Sequence, residues 1–174
     1  KLASSECLVT TAGSVAAGKT TLICRLSGLN KEHLRADREG QTVITLLVTP
    51  GSERTLQVMP RTRSLQDRTS YERDRSQNWG STAEEATKQL ARKSGVETDS
   101  RGEITLQSAM SFFANDQYAA RELACMKVSA PRTAGYWEEM GTEREAQATL
   151  LDARGFETIA DPETIESAHL FAEG

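Results

Sequence analysis

The N-terminal third of the chain has the clearest alternation of apolar and polar segments. Residues 6–12 (ECLVTTA) form a short β-prone run before a glycine, which predicts a buried strand. In residues 19–29 the apolar side chains recur at the 3.6-residue spacing of an amphipathic helix. Residues 41–49 (QTVITLLVT) are β-branched and apolar and end at a Pro-Gly pair, so they predict a second strand. This order predicts a βαβ unit within a parallel sheet.

The middle of the chain is more polar, and its pattern is weaker. Residues 54–75 contain six arginines among serine, threonine and carboxylate side chains, and we expect a solvent-exposed face there. Residues 82–93 predict a helix in which Glu84 and Lys88 are spaced for an i,i+4 ion pair. Residues 104–126 mix strand and helix signals, and the pattern does not divide them.

The C-terminal third predicts two short strands and a helix. Residues 124–130, which precede a proline, predict the first strand, and residues 148–152 predict a last strand that ends in a carboxylate. Residues 162–171 predict a helix, because Asp161 is a good N-cap and a proline follows it at the first helical position.

Length, charge and cysteine content narrow the functional classes. The 174 residues predict a single domain over 1–174. The net charge is −4, and no apolar run approaches the roughly 20 residues that span a bilayer, so we expect neither a nucleic-acid nor a membrane partner. The three widely spaced cysteines form no zinc-binding pattern and are odd in number, so we expect a reducing, cytoplasmic setting.

One sequence motif indicates a phosphate-binding function. The stretch GSVAAGKT fits the phosphate-loop pattern G-x-x-x-x-G-K-[ST] and lies between a predicted strand and a predicted helix. The expected nucleotide-binding residues are Gly13, Ser14, Val15, Ala16, Ala17, Gly18, Lys19, Thr20 and Thr21. The plain alternative is a turn at a helix start that binds nothing.

The residue types of this motif suit a polyphosphate. Glycines let the loop curl so that backbone N–H groups face phosphate oxygens, and the following helix presents its positive end. We expect Lys19 to reach the β- and γ-phosphates as the catalytic cation, and the Thr20 hydroxyl to bind Mg²⁺. The motif therefore predicts a three-layer α/β P-loop NTPase fold with a mostly parallel sheet, which binds GTP or ATP with Mg²⁺.

A P-loop site also needs a carboxylate that holds Mg²⁺, and two segments offer one. Our assignment is Glu97, with Asp99 beside it, although a hydrated loop is the plain interpretation. The alternative is Asp152, which begins a match to the D-x-x-G pattern of GTPases and is otherwise a surface carboxylate. Residues 48–51 resemble the same pattern, but Val48 stands where the aspartate belongs. The aromatic residues Trp79, Trp137 and Tyr136 predict core or interface packing rather than stacking on a base.

The chain resembles the molybdopterin-guanine dinucleotide biosynthesis adaptor proteins. Residues 8–26 (LVTTAGSVAAGKTTLICRL) match the strand and G-x-x-x-x-G-K-T-T-L-L loop of that family, and residues 43–49 resemble its second strand. Residues 67–73 (DRTSYER) resemble its D-S-Y-x-x-R-like segment, and residues 150–161 (LLDARGFETIAD) resemble its acidic tail. Residues 48–51 depart from the basic, His-containing strand end of the family. The resemblance implies GTP binding with weak or no hydrolysis, a homodimer and a partner nucleotidyltransferase.

The sequence is also compatible with other functional classes. A small-molecule or nucleotide kinase of the P-loop class would use Lys19 and arginines of residues 54–75, and a non-catalytic or designed P-loop domain would keep only the fold. Residues 13–26 also resemble translation-factor-like and sulfate-activating GTPases. The spacing from the phosphate loop to residues 49–50 resembles superfamily 1 helicases, but their Asp-Glu pair is absent because alanine follows Asp152.

Overall fold

The computed structural model describes residues 6–11, 17–34, 43–61, 79–137 and 147–152. The first four positions of the phosphate motif (13–16), the predicted helix 162–171 and most of the arginine-rich stretch lie outside the described residues. So do residues 67–73 and 153–161, two of the segments that carry the family resemblance.

The described strands form one five-stranded sheet of order β1-β5-β2-β4-β3. The strands are β1 (Glu6–Thr11), β2 (Leu46–Gly51), β3 (Thr55–Pro60), β4 (Leu123–Pro131) and β5 (Gln147–Asp152). Strands β1 and β5 are parallel, as are β2 and β4, whereas β5–β2 and β4–β3 are antiparallel. The predicted α/β class is confirmed, and the sheet is mixed.

The predicted parallel βαβ unit is wrong. Strand β5 lies between β1 and β2, and β2 runs opposite to both, because β1 is parallel to β5 and β5 is antiparallel to β2. The local pattern specified the elements but not their neighbours, since a strand more than a hundred residues later pairs with β1. Strand β2 also begins at Leu46, later than the predicted start at residue 41, although Val43 and Ile44 are buried ahead of it.

The two edges of the described sheet differ. Strand β1 was predicted to be buried, but Cys7 is exposed and Leu8 is 36% exposed, because β1 has a partner strand on one side only. The other edge is formed by β3, a strand that the sequence pattern does not predict. Its outward Val58 N–H donates to Thr87 Oγ1 of a helix at 3.0 Å, so this edge is covered.

Four helices are present among the described residues. They are α1 (Lys19–Ser27), α2 (Ala83–Ala91), α3 (Leu106–Asn115) and α4 (Gln117–Arg121), with a 3₁₀ turn at Lys31–Leu34. The predicted helices at 19–29 and 82–93 and the predicted strands at 124–130 and 148–152 are confirmed, as is the Glu84–Lys88 ion pair. None of the helices in these segments combines the length and apolar character needed to cross a membrane.

The core lies between the sheet and the helices. Its largest fully buried side chains come from every layer: Ile23 of α1, Leu90 of α2, Phe113 of α3, and Leu46, Val58, Met126 and Leu150 of the strands. Helix α1 turns Ile23 and Cys24 toward this core and leaves Leu22 51% exposed. The core therefore holds α1 against the sheet beside β5.

Candidate functional site

The candidate site lies where β1 and β5 end side by side. The two strands are parallel and in register, and Thr11 at the end of β1 pairs with Asp152 at the end of β5. The chain returns to the described residues at Ala17 and enters α1 at Lys19. The start of α1 therefore comes to the carboxyl end of the strand that carries Asp152.

Helix α1 begins after a glycine with left-handed backbone geometry. Gly18 is the N-cap of α1 and has φ = 83°, in the left-handed region where glycine is favoured. As the N-cap of α1, Gly18 has no side chain that could cap the helix, and the first turn contains no acidic residue. A helix start of this kind suits an anion.

Thr20 and Asp152 form the central contact of the site. Thr20 Oγ1 donates a hydrogen bond to Asp152 Oδ2 at 2.7 Å, across 132 positions of the chain. Asp152 is only 1% exposed, so its carboxyl group is withdrawn from water. The contact places the hydroxyl and the carboxylate of the two elements within reach of a single small ligand.

The second oxygen of this carboxyl has no hydrogen-bond partner among the described residues. Asp152 Oδ1 is buried and accepts no hydrogen bond from them. Burial raises the pKa of Asp152, and the Thr20 hydrogen bond and the charge of Lys19 oppose that increase. A buried carboxylate oxygen without a partner is costly unless a ligand satisfies it, so the site has capacity for a cation or for a bound water.

Cys24 packs on the same side of α1, one turn beyond Thr20. Burial raises the pKa of its thiol to about 11, and the charge of Asp152 acts in the same direction. The thiol of Cys24 is therefore protonated at neutral pH in the free protein. The donors of this site are oxygens.

The structure places Glu97, the carboxylate that the sequence pattern favours for the metal, away from Thr20 and Asp152. Glu97 is exposed in the loop between α2 and α3, where its backbone oxygen accepts from Thr105 N–H and the Ser108 hydroxyl. In the same loop Arg101 pairs with Glu53, just after the C-terminal end of β2.

The pairing of β2 with β5 explains why the Glu97 loop and Asp152 lie apart. Asp152 lies beside Leu46 at the start of β2. The end of β2 at Gly51 is five residues further on, or roughly 16 Å along the strand. The loop that contains Glu97 is thus tied to the opposite end of the sheet.

The aromatic residues follow the packing prediction in part. Trp137 is 5% exposed, and Trp79 packs near Phe113 with a centroid distance of 6.5 Å. Tyr136 is 52% exposed. Two arginines of residues 54–75, Arg54 and Arg61, lie in the described part of the chain. Arg61 donates from Nε to the Leu123 backbone oxygen at 3.1 Å.

Comparison with known proteins identifies no family for this chain. Neither a protein-family model, nor a curated protein, nor a solved structure matches the chain. Functional interpretation therefore rests on the residues at the ends of β1 and β5 and at the start of α1.

Proposed function

We propose that this chain is a P-loop domain that binds a nucleoside triphosphate together with Mg²⁺, and that GTP is the preferred nucleotide. The observation that carries the proposal is the 2.7 Å hydrogen bond from the Thr20 hydroxyl to the buried Asp152 carboxylate. It joins the last residue of the phosphate motif to a carboxylate at the end of the adjacent strand, which is the pairing that a Mg²⁺–nucleotide site requires.

The start of α1 supplies the phosphate-binding groups. The N-cap of α1 is a glycine, which supplies no capping side chain, and the helix dipole adds positive potential at the backbone N–H groups of the first turn. Lys19 provides the cation for the β- and γ-phosphate oxygens. Burial raises the pKa of Asp152, and the positive charge of Lys19 opposes that increase, which favours the ionised carboxylate that a metal ion needs.

The oxygen donors fit Mg²⁺. Mg²⁺ prefers hard oxygen ligands and is commonly held by one or two protein groups plus phosphate oxygens and waters. Thr20 and Asp152 would hold it here, Thr20 through its hydroxyl and Asp152 through the unsatisfied Oδ1, directly or through water. In the described segments no group of three or more His, Cys, Asp and Glu side chains forms a cage, which agrees with a metal that arrives with a nucleotide. When bound, Mg²⁺ neutralises charge on the β- and γ-phosphates.

The choice of GTP is supported by sequence. Asp152 begins the letters D-x-x-G, with Gly155 as the last position, and this pattern follows the metal-binding strand of GTPases. The resemblance to guanine-dinucleotide adaptor proteins points to the same base. The adaptor role, the homodimer and the partner nucleotidyltransferase rest on that resemblance alone and remain predictions.

Calorimetric titration with GTP and ATP, each with Mg²⁺ and with EDTA, tests the proposed function. We expect saturable, Mg²⁺-enhanced binding with GTP ahead of ATP. Lys19→Ala should weaken binding on the order of a hundredfold, because a charged contact to phosphate is lost. Lys88→Ala is the matched control, since Lys88 pairs with Glu84 on the surface of α2. Equal binding by Lys19→Ala and the unchanged chain would refute the proposal.

A further inference from the structure

The segment that follows β4 packs against the C-terminal end of α1. We call residues 132–137 the docking segment. Its Tyr136 N–H donates to the Leu26 backbone oxygen at 2.8 Å, and Trp137 Nε1 donates to the Ser27 backbone oxygen at 3.3 Å. The last carbonyl groups of α1, which lack partners within the helix, are thus satisfied by this segment.

Two glycines bring the backbones into direct contact. Gly28 ends α1 with φ = 70°, and Gly135 has φ = 74°. A Cβ added at Gly135 would lie 2.3 Å from the Leu26 backbone oxygen, and one at Gly28 would lie 2.6 Å from Gly135 N. Neither position has room for a side chain, so the docking segment sets how far α1 extends toward this end.

The contacts at this end differ in kind from those that hold α1 against the sheet. Ile23 and Cys24 are buried apolar contacts, and such contacts are non-directional, so they restrain a small slide or rotation of a nine-residue helix only weakly. Hydrogen bonds to Leu26 and Ser27 and the glycine contact are directional. They fix the axial position of α1 relative to the sheet.

That axial position determines the geometry at the other end of α1. Thr20 must remain within hydrogen-bond distance of Asp152, and Mg²⁺ tolerates little departure from its short octahedral distances. Strands β4 and β5 belong to the same sheet. Both ends of α1 are therefore positioned relative to that sheet, one by the docking segment after β4 and the other by Asp152 of β5.

We propose that Gly135 and Trp137 are positioning residues for Mg²⁺–nucleotide binding, and that they act by holding α1 at the axial position where Thr20 meets Asp152. This inference rests on the proposed function of the Thr20–Asp152 site. It adds a determinant that touches neither nucleotide nor metal.

Trp137→Phe tests the hydrogen bond, because it keeps an aromatic ring and removes the indole N–H donor. We expect GTP affinity with Mg²⁺ to fall about threefold to tenfold, as for loss of one hydrogen bond, while affinity in EDTA changes little. Thr87→Val is the matched control. It also removes a side-chain to backbone hydrogen bond, at the β3 edge of the sheet, and it should lower stability without changing affinity.

Gly135→Ala tests the backbone contact, because the new methyl group would meet the Leu26 oxygen. Its matched control is Gly102→Ala, since Gly102 has φ = 78° but no atom within 4 Å of an added Cβ. Both variants carry the same backbone strain. Only Gly135→Ala should reduce the Mg²⁺-dependent affinity, by more than Trp137→Phe does.

Amide NMR shifts in the nucleotide-free protein supply a readout that does not depend on nucleotide. Trp137→Phe should shift the amides of Lys19, Thr20 and Asp152, and Thr87→Val should not. Unchanged amides at these positions, or an equal loss of affinity with Mg²⁺ and with EDTA, would overturn the positioning role. If the unchanged chain binds no GTP, the proposed function fails, and the amide comparison still decides this inference.

Discussion

Asp152 shows, at the residue scale, a conflict between stability and the proposed function. The carboxyl is 1% exposed, one oxygen accepts from Thr20, and the other is unsatisfied. An arrangement of this kind is unfavourable in the free protein, because a buried charge is removed from water without full compensation. A bound cation at the second oxygen would compensate this cost.

Asp152→Asn should therefore stabilise the free protein at neutral pH. Burial raises the pKa of Asp152, so the folded state binds the proton more tightly than the unfolded chain. The stabilising contribution of such a group is complete below the unfolded pKa and is lost as pH rises through the folded pKa. The substitution removes the charge and keeps an oxygen that accepts from Thr20.

Urea unfolding of both proteins in EDTA across the acidic to neutral range measures this effect. The variant should have the higher midpoint at pH 7, and the gap should narrow as the pH falls. A gap that does not change with pH would show that the buried charge is not its cause.

The local sequence pattern gives candidate residues near this site but not which carboxylate lies beside Thr20. Lys19 and Thr20 were predicted from the motif. In the structure the Thr20 hydroxyl donates a hydrogen bond to the Asp152 carboxylate. The sequence pattern favours Glu97 over Asp152 as the Mg²⁺ carboxylate, although Asp152 lies at the end of a predicted apolar strand, where a metal carboxylate is expected. The decisive fact is the register of β1 with β5, and that pairing joins segments too far apart for a local pattern to show it.

At the scale of elements, α2 was predicted with nearly its observed bounds because its ends are encoded locally. Thr82 Oγ1 accepts from Glu85 N–H at 3.2 Å, and the Glu85 carboxylate accepts from Thr82 N–H at 3.4 Å, which forms a capping box. Helix α1 likewise ends where Gly28 adopts a positive φ. Strand β3 was missed because its exposed threonine and glutamine alternate with few buried residues beside an arginine-rich stretch.

Thr82→Ala should destabilise the protein by about 1 kcal/mol, as expected for loss of an N-cap. Thr82→Ser keeps the acceptor oxygen and should retain most of the stability. Chemical denaturation measures both variants. GTP binding should be the same in each, because α2 packs at the β3 edge; a change in affinity would show that α2 contributes to the site.

The order of the strands organises the whole molecule. Strands β5, β2 and β4 are flanked on both sides, β1 forms one edge, and β3 forms the other beneath α2. The antiparallel pairing of β5 with β2 places the Thr20–Asp152 pair at one end of the sheet and the Glu53–Arg101 pair at the other. Strand order and direction depend on long-range pairing, which explains why the α/β class was predicted correctly and the parallel βαβ unit was not.

Hydrogen exchange should show the covered edge. The Val58 amide lies on an edge strand yet donates to Thr87, so we expect it to exchange slowly in the unchanged protein. Thr87→Val removes the acceptor and should speed exchange at Val58 while leaving amides of β5 protected. Fast exchange at Val58 in the unchanged protein would contradict the coverage of this edge by α2.

The most direct test of the central claim compares two carboxylates in a Mg²⁺ titration at fixed GTP. Asp152→Asn should raise the Mg²⁺ concentration needed for half-maximal nucleotide binding by about 10- to 100-fold, as for loss of a group that holds or orients a metal ligand. Glu97→Gln should leave that concentration unchanged. An unchanged Mg²⁺ requirement in Asp152→Asn, or an increase confined to Glu97→Gln, would contradict the account.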